Sequence, residues 1–304
     1  MYYRYMKKYF TKILTTVFIL LLLITSISIR DAAAGDQKNF LWKIQSKTNT
    51  VYLLGSVHFM KKEMYPLREE IEEAFQSSDI LVVEADINDV GRIDLQKMLG
   101  SAFYFEGDSL EKHISPETLE RVKKEFDEYG MPSVLITRQK PWVLALTLTS
   151  LKLVQLGFDP LYGIDVHFLN AVSGKKKIKE LESIDYQIDL LSGFSDSEQE
   201  AFLLYTLNDM NSLEKNIDIL ITAWKDGDVR GMELIIEKNI QNDSTAAAMY
   251  DKLLYTRNKN MVSKITEYLQ TRETYFVIVG AGHLVGEKGI VELLKKRGYL
   301  VDQL

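Results

Sequence analysis

The sequence predicts a mixed α/β protein whose central sheet is built from both ends of the chain. Two observations predict the sheet: apolar, β-branched runs at 51–54 and 275–279 indicate buried strands, and each runs into a Gly-x-x-His sequence. A third observation predicts the remainder. Helical periodicity dominates from about 90 to about 272, so a large helical insertion separates the two halves of the sheet.

The N-terminal half predicts a hairpin followed by a strand–helix–strand unit. Residues 40–46 and 51–58 form the hairpin through the polar stretch 47–50. Pro66 then begins an amphipathic helix, and an apolar strand ends in Glu84. Such a unit makes its two strands parallel. We therefore expect His58 and Glu84 at the same edge of the sheet.

The remaining elements complete one domain over 36–304. Residues 141–156 are apolar on nearly every face, but they are too few for a membrane span and include Lys152 and Gln155, which favours a helix buried in the core. Residues 176–181 predict another strand, and Ser195 with Glu198 predicts a capping box. The last residues, 299–301, predict an edge strand.

Residues 1–34 predict a targeting segment. Basic residues between 4 and 12 precede an apolar stretch at 13–29, and three alanines at 32–34 offer a cleavage site. The alternative is an uncleaved membrane anchor, because the apolar stretch is longer than that of most signal peptides. In both cases we expect the rest of the chain outside the cytoplasm, secreted or anchored, and meeting the membrane only through this segment.

Composition excludes several function classes. A net charge of −6 and a pI near 5.4 argue against a nucleic-acid partner. The chain has no cysteine, which excludes disulfides, thiolate metal sites and a cysteine nucleophile. Any transition metal must therefore be held by histidine and carboxylate side chains.

The two Gly-x-x-His turns and the intervening acid predict a metal site. Two imidazoles and a carboxylate at neighbouring strand ends, His58, His283 and Glu84, suit zinc, manganese, cobalt or iron(II) with positions left for water and substrate. Without a metal, we expect their polar atoms within about 4 Å of one another. Glu84 could serve as the third ligand or as a general base. The alternative is that both histidines are structural.

Five further residues are candidates for substrate binding. Gly55 and Gly280 are expected to open the space above the strand ends and floor a concave opening. Arg257 and Asn258 lie in a polar break of an apolar helix, where the arginine could anchor a substrate carboxylate at the rim or hold the strand-end glutamate. Asp165 lies near a predicted helix N-terminus, which also suits a capping or dipole role.

These motifs resemble the TraB/PrgY/GumN family, which includes the Tiki-type proteins. The two Gly-x-x-His turns with Glu84 between them are the specific part of the resemblance. Other matching segments occur in family order between Leu41 and Val301. They are Leu41-Trp42, Leu81-Val-Val-Glu84-Ala-Asp86, Gly163-Ile-Asp165, Leu181-Glu182 with Gln187, Arg257-Asn258, and Val279-Gly-Ala-Gly-His283-Leu-Val-Gly286.

The resemblance implies a Tiki/erythromycin-esterase-like fold and a metal-dependent hydrolase. Because the Tiki branch contains proteases acting on secreted peptides, it implies a divalent metal (manganese, cobalt or zinc) and an extracellular peptide or protein substrate. His58, Glu84 and His283 would be the catalytic set. The alternative is a non-catalytic protein of the same fold that sequesters a peptide or other ligand, since the PrgY branch is linked to suppression of a peptide pheromone.

Overall fold

The structure, a computed structural model, describes residues 38–88, 94–172, 174, 176–240 and 244–304. The predicted targeting segment at 1–34 lies outside these residues. Within the described residues, no helix has both the length and the apolar character needed to span a membrane.

One six-stranded mixed sheet organises the fold. Its strands are β1 (Leu41–Gln45), β2 (Thr50–Ser56), β3 (Ile80–Val83), β4 (Lys177–Glu180), β5 (Tyr275–Gly280) and β6 (Leu300–Gln303). Their order across the sheet is β4-β3-β5-β2-β1-β6. The pairs β2–β5, β3–β5 and β3–β4 are parallel, whereas β1 is antiparallel to both β2 and β6. The predicted hairpin, parallel unit, strand at 176–181 and C-terminal edge strand are therefore confirmed.

The C-terminal strand β5 lies at the centre of the sheet, between two strands from the N-terminal part of the chain. Every residue of β5 is buried, as expected for a continuous apolar run covered on both faces. Gly55 pairs with Val279, and Ser56 pairs with Gly280. Because β2, β3 and β5 are parallel, the residues that follow them emerge at one edge of the sheet.

Helices cover both faces and form most of the middle of the chain. They are α1 (Glu69–Gln76), α2 (Leu95–Ala102), α3 (Pro116–Glu128), α4 (Ser133–Ile136), α5 (Pro141–Gln155), α6 (Ile164–Val172), α7 (Ile184–Ser192), α8 (Asp196–Asp209), α9 (Leu213–Lys225), α10 (Val229–Ile240), α11 (Ser244–Tyr250), α12 (Thr256–Tyr268) and α13 (Ile290–Lys296). The predicted capping box at Ser195 begins α8. The predicted helical insertion also contributes one strand, β4.

The helix α5 joins two apolar cores, which explains why nearly all its faces are apolar. Trp142 and Leu146 belong to the core that surrounds the sheet. Leu144 and Leu148 belong to a second core, formed with residues of α3 and α8 such as Phe126. The prediction of a buried helix here is confirmed.

Helices on opposite faces bring different side chains to the strand ends. On one face, the rings of Phe75 (α1) and Phe168 (α6) lie 5.5 and 5.0 Å from the ring of Phe276 in β5. On the other face, Tyr268 of α12 stacks on Tyr275 at 4.6 Å. The N-terminal turns of α6 and α12 carry Asp165 and Arg257. Both helices begin near the edge of the sheet at which β2, β3 and β5 end.

Candidate functional site

His58 follows β2 and is oriented by the first turn of α6. The N–H of Ile164 donates to the carbonyl oxygen of Val57 (3.1 Å), which seats α6 against the strand end. Gly163 allows this approach, because a Cβ there would overlap the His58 carbonyl oxygen. Nδ1–H of His58 then donates to Asp165 Oδ2 at 2.6 Å. The Nε2 atom of His58 is left without a hydrogen bond among the described residues.

His283 lies in the tight turn that follows β5 and is oriented by α12. Its Nδ1–H donates to Asn258 Oδ1 at 2.5 Å. The Asn258 amide nitrogen donates to the Lys288 carbonyl oxygen at 2.9 Å, so the amide oxygen faces the ring. Nε2 of His283 therefore carries the lone pair, and it lies 3.7 Å from Glu84 Oε1.

Glu84 follows β3 and accepts hydrogen bonds on both oxygens. Gly280 N–H donates to Oε1 and Arg257 Nη2 donates to Oε2, each at 2.6 Å. The same guanidinium contacts Glu182, with Nη2 at 2.7 Å from Oε2 and Nε at 2.9 Å from Oε1. Arg257 is only 1% exposed. One buried cation thus holds two strand-end carboxylates.

The surroundings shift the pKa values of the three side chains in different ways. Burial opposes ionisation of Glu84, but the Arg257 guanidinium, the two imidazoles and the Gly280 N–H together outweigh it and lower the pKa of Glu84 to about 2. Burial and the same guanidinium lower the pKa of His283 to about 3. Burial would also lower the pKa of His58, yet the charge and hydrogen bond of Asp165 prevail and raise it. At neutral pH the carboxylate is ionised and His283 is neutral.

Gly280 lies beneath the space on which the side chains of His58, Glu84 and His283 converge. A Cβ at this position would lie 3.4 Å from Glu84 Oε1, 3.5 Å from His283 Cδ2 and 3.7 Å from His58 Nε2. The backbone of Gly280 has a φ of −50°, which any residue adopts, so the glycine matters for space and not for conformation. The missing side chain leaves the volume that the three groups share.

Gly55 does not contribute to this floor, and that prediction was wrong. A Cβ on Gly55 would overlap Phe40 Cδ1 and lie 3.1 Å from Leu284 Cδ1, in the core on the opposite face of the sheet. The two Gly-x-x-His runs are offset by one residue in the β2–β5 register, and successive residues of a strand face opposite ways. Gly55 is therefore needed for close packing.

Arg257, Asn258 and Asp165, predicted as substrate-binding, instead orient the three central side chains. Arg257 lies beneath Glu84 and not at a rim. Of its two predicted roles, anchoring a substrate carboxylate or holding the strand-end glutamate, the structure shows the second. Asn258 is fully buried against His283. These contacts give each central group one positioning partner on a helix.

Two residues of the site, Glu182 and Gln187, matched the family in the sequence but were not predicted to belong to the site. Glu182 follows β4 just as Glu84 follows β3, and the strand-end argument that selected Glu84 would have found it. Gln187 Nε2 donates to Glu182 Oε2 at 3.0 Å and to Glu84 Oε2 at 3.3 Å. The family resemblance, which matches Leu181-Glu182 with Gln187, was the signal that could have found it.

The donor atoms fit a divalent transition metal chemically, although a closed three-ligand group is not formed. No cluster of three or more His, Asp or Glu side chains in the described ranges is arranged to hold a metal ion. Glu84 Oε1 and His283 Nε2 lie 3.7 Å apart, within the expected spacing, whereas His58 makes no ion pair with Glu84 in these ranges. However, both histidines hold Nδ1 in an outer hydrogen bond and point Nε2 towards the shared volume, as metal-ligating histidines do. His58, His283 and Glu84 are the residues that would hold a metal.

Fold and site together define a mixed α+β protein whose polar groups meet where three adjacent parallel strands end. The chain belongs to the TraB/PrgY/gumN family, whose sequence profile matches residues 40–303. The family resemblance predicted from the motifs is confirmed.

Individual relatives are distant. The chain is 27% identical over 247 residues to the uncharacterised protein YbaP of Escherichia coli K12, covering 80% of this chain and 87% of YbaP. It is 23% identical over 317 residues to metalloprotease TIKI1 of Danio rerio, covering 88% of this chain and 63% of TIKI1. An uncharacterised protein of Treponema pallidum is 22% identical over 294 residues, with 87% and 82% covered. No solved structure matches the chain significantly.

Proposed function

We propose that this protein is a metal-dependent hydrolase that cleaves peptides. The observation that carries the proposal is the convergence of His58 Nε2, Glu84 Oε1 and the His283 ring over Gly280. The distant similarity to Tiki metalloproteases supports the reaction class. The offered nitrogen and oxygen donors suit manganese, cobalt or zinc.

A divalent metal at this position would lower the pKa of water and polarise a carbonyl group. The protein's part is to present its donor atoms in a fixed arrangement. Asp165 and Asn258 hold the two imidazole rings so that Nε2, and not Nδ1, faces the shared volume. Neutral His283 offers its lone pair without first losing a proton, because its pKa is about 3.

Glu84 is better suited to be a ligand than a general base. Both of its oxygens already accept hydrogen bonds, and the Arg257 cation stabilises the ionised form. A carboxyl group with a pKa of about 2 is a weak proton acceptor at neutral pH. The guanidinium keeps Glu84 negatively charged and directs its second oxygen towards Gly280 and His283.

The proposal also places the protein outside the cytoplasm, secreted or held by residues 1–34, with extracellular peptides or proteins as substrates. The basic and apolar character of that segment supports this location. Fractionation of expressing cells tests this location. Recovery of the chain in the cytoplasmic fraction alone would contradict the location but would leave the proposed hydrolase activity standing.

Metal content is the direct test of the site. Purified protein is reconstituted with manganese, cobalt or zinc, desalted and analysed by mass spectrometry for bound metal. We expect bound metal in the wild type and its loss in a variant carrying His58→Ala and His283→Ala. His113→Ala is the matched control, because His113 pairs with Asp108 and Asp196 away from the site. Absence of metal from the wild type under all three conditions would refute the proposal.

Peptide cleavage is tested separately. The metal-loaded protein is incubated with a mixed peptide library and the products are identified by mass spectrometry. New fragments that disappear with Glu84→Gln or with a chelator support the hydrolase. Peptides that are retained but remain uncut would favour a sequestering protein instead.

A further inference from the structure

Ser56, the last residue of β2, carries a buried hydroxyl group without a partner. The residue is 2% exposed, and its Oγ makes no hydrogen bond among the described residues. Two other buried oxygens in that part of the chain lack a partner, those of Gln139 and Gln199, but both amide groups still donate through Nε2. Because buried hydroxyls are nearly always paired, the isolated group at Ser56 requires a physical reason.

The strand register directs Ser56 towards the candidate site. Ser56 pairs with Gly280 in the parallel β2–β5 ladder, and side chains at paired positions leave the sheet on the same face. From Gly280, that direction leads to Glu84 Oε1 and His58 Nε2. Gly55, one residue earlier, faces the opposite core. The Ser56 side chain therefore projects beside the volume above Gly280.

The neighbouring polar atoms are already engaged and do not explain the hydroxyl. Glu84 Oε1 accepts from Gly280 N–H, and Nδ1 of each site histidine donates to its own partner on a helix. Among the described residues, the imidazole Nε2 atoms and the Ser56 hydroxyl at this edge make no hydrogen bond. The imidazole nitrogens are suited to bind a metal ion. The Ser56 hydroxyl is suited to contact an oxygen atom bound beside the metal, because a hydroxyl can donate or accept a hydrogen bond.

We propose that the Ser56 hydroxyl hydrogen-bonds to an oxygen atom, of water or of a substrate carbonyl group, held above Gly280 when a divalent metal is bound. The inference rests on the proposed function and deepens it by assigning a ligand-contacting residue. In the metal-free protein the hydroxyl contributes nothing to stability, and it becomes useful only when the site is filled. A serine retained for packing alone would show no dependence on metal.

The test compares wild type, Ser56→Ala and Ser56→Thr, with Ser78→Ala as a control. Ser78 is also a buried serine, but its Oγ donates to the Ala74 carbonyl oxygen at 2.7 Å. Melting temperatures are measured without metal. Affinity for Co²⁺ is then measured by visible absorption, first with Co²⁺ alone and then with acetohydroxamate added as a probe that supplies a carbonyl oxygen.

We expect Ser56→Ala to melt no lower than the wild type without metal, and to bind one of the two probes about tenfold more weakly, the scale of lost outer contacts in metal sites. Ser56→Thr, which keeps the hydroxyl, should bind within about twofold of the wild type. Ser78→Ala should melt lower and bind Co²⁺ normally. Weakening with Co²⁺ alone identifies water as the partner, and weakening only with acetohydroxamate identifies the carbonyl.

Two outcomes overturn the role of Ser56 and leave the proposed function standing. One is unchanged affinity for both probes in Ser56→Ala. The other is a metal-free melting temperature that falls as it does in Ser78→Ala, which would show that the hydroxyl already has a partner. A wild type that binds no Co²⁺ overturns the role of Ser56, and a wild type that binds neither cobalt, manganese nor zinc overturns the site as well.

Discussion

The two Gly-x-x-His turns share a sequence pattern and lie on adjacent parallel strands, yet they place their histidines in different surroundings. The His58 side chain is 22% exposed and has a carboxylate partner, which raises its pKa. The His283 side chain is 4% exposed and has an amide partner, and burial together with Arg257 lowers its pKa to about 3. The same local pattern thus produces one imidazole with a raised pKa and one with a lowered pKa.

The difference comes from the helices and not from the turns. The first turn of α6 supplies Asp165 to His58, and α12 supplies both Asn258 to His283 and the cation beneath Glu84. A strand-end motif therefore sets where an imidazole lies, and the helix packed against it sets the charge.

Removing the cation beneath Glu84 should have the largest effect. Arg257→Ala leaves Glu84 and Glu182 buried without their partner, and we expect the free energy of unfolding to fall by about 3–5 kcal/mol. Urea unfolding measures the change. Arg230→Ala is the control: Arg230 pairs with Glu233 and is well exposed, so we expect no measurable loss. Equal stability of the two variants would show that α12 does not control the charge at this edge.

Replacing Gly55 and Gly280 by alanine, one at a time, should distinguish a role in core packing from a role in the metal site. Gly55→Ala introduces a Cβ that overlaps Phe40, so we expect a loss of about 1–3 kcal/mol in unfolding free energy with metal binding retained. Gly280→Ala introduces a Cβ at ordinary contact distances, 3.4 Å or more, and should fold normally but lose metal binding. Metal content and urea unfolding distinguish them, and similar behaviour of both variants would contradict the different roles of the glycines.

Altering the histidine partners should change the two pKa values in opposite directions. Asn258→Asp places a carboxylate beside buried His283 and should raise its pKa, whereas Asp165→Asn removes the carboxylate beside His58 and should lower its pKa. NMR titration of the imidazole signals in metal-free protein measures both. His113, with its own two aspartates, serves as an internal control that neither variant should shift.

The smallest effect is a pH dependence of stability. Because the folded-state pKa of His58 is raised, its contribution is fully present below about pH 6.5 and is lost as the pH rises through the folded-state value. The stability difference between wild type and Asp165→Asn, metal-free, should therefore be greatest in mild acid and shrink with increasing pH. Urea unfolding at several pH values measures it.

The opposite sign applies to His283. Its folded-state pKa is lowered to about 3, so its contribution is present above pH 6.5 and is lost as the pH falls towards 3.

For His58, the contradicting result is a difference in unfolding free energy between wild type and Asp165→Asn that grows with pH. Such a result would contradict the assignment of the raised pKa to His58.

The sequence by itself determined the sheet and the position of its three central side chains. Continuous apolar runs identify buried strands, and a strand–helix–strand unit makes its strands parallel, because both rules act over short stretches of chain. These rules placed His58, Glu84 and His283 at one edge. They could also have placed Glu182, which follows the predicted strand at 176–181.

Only the tertiary structure decided the partners and the faces. Asp165 lies 107 residues from His58, and Arg257 lies 173 residues from Glu84, so helix packing on the sheet, and not local sequence, selects these contacts. Likewise Gly55 and Gly280 occupy the same place in their motifs. A one-residue offset in the β2–β5 register puts Gly280 and Ser56 on the site face and turns Gly55 into the core, since strand residues alternate between faces.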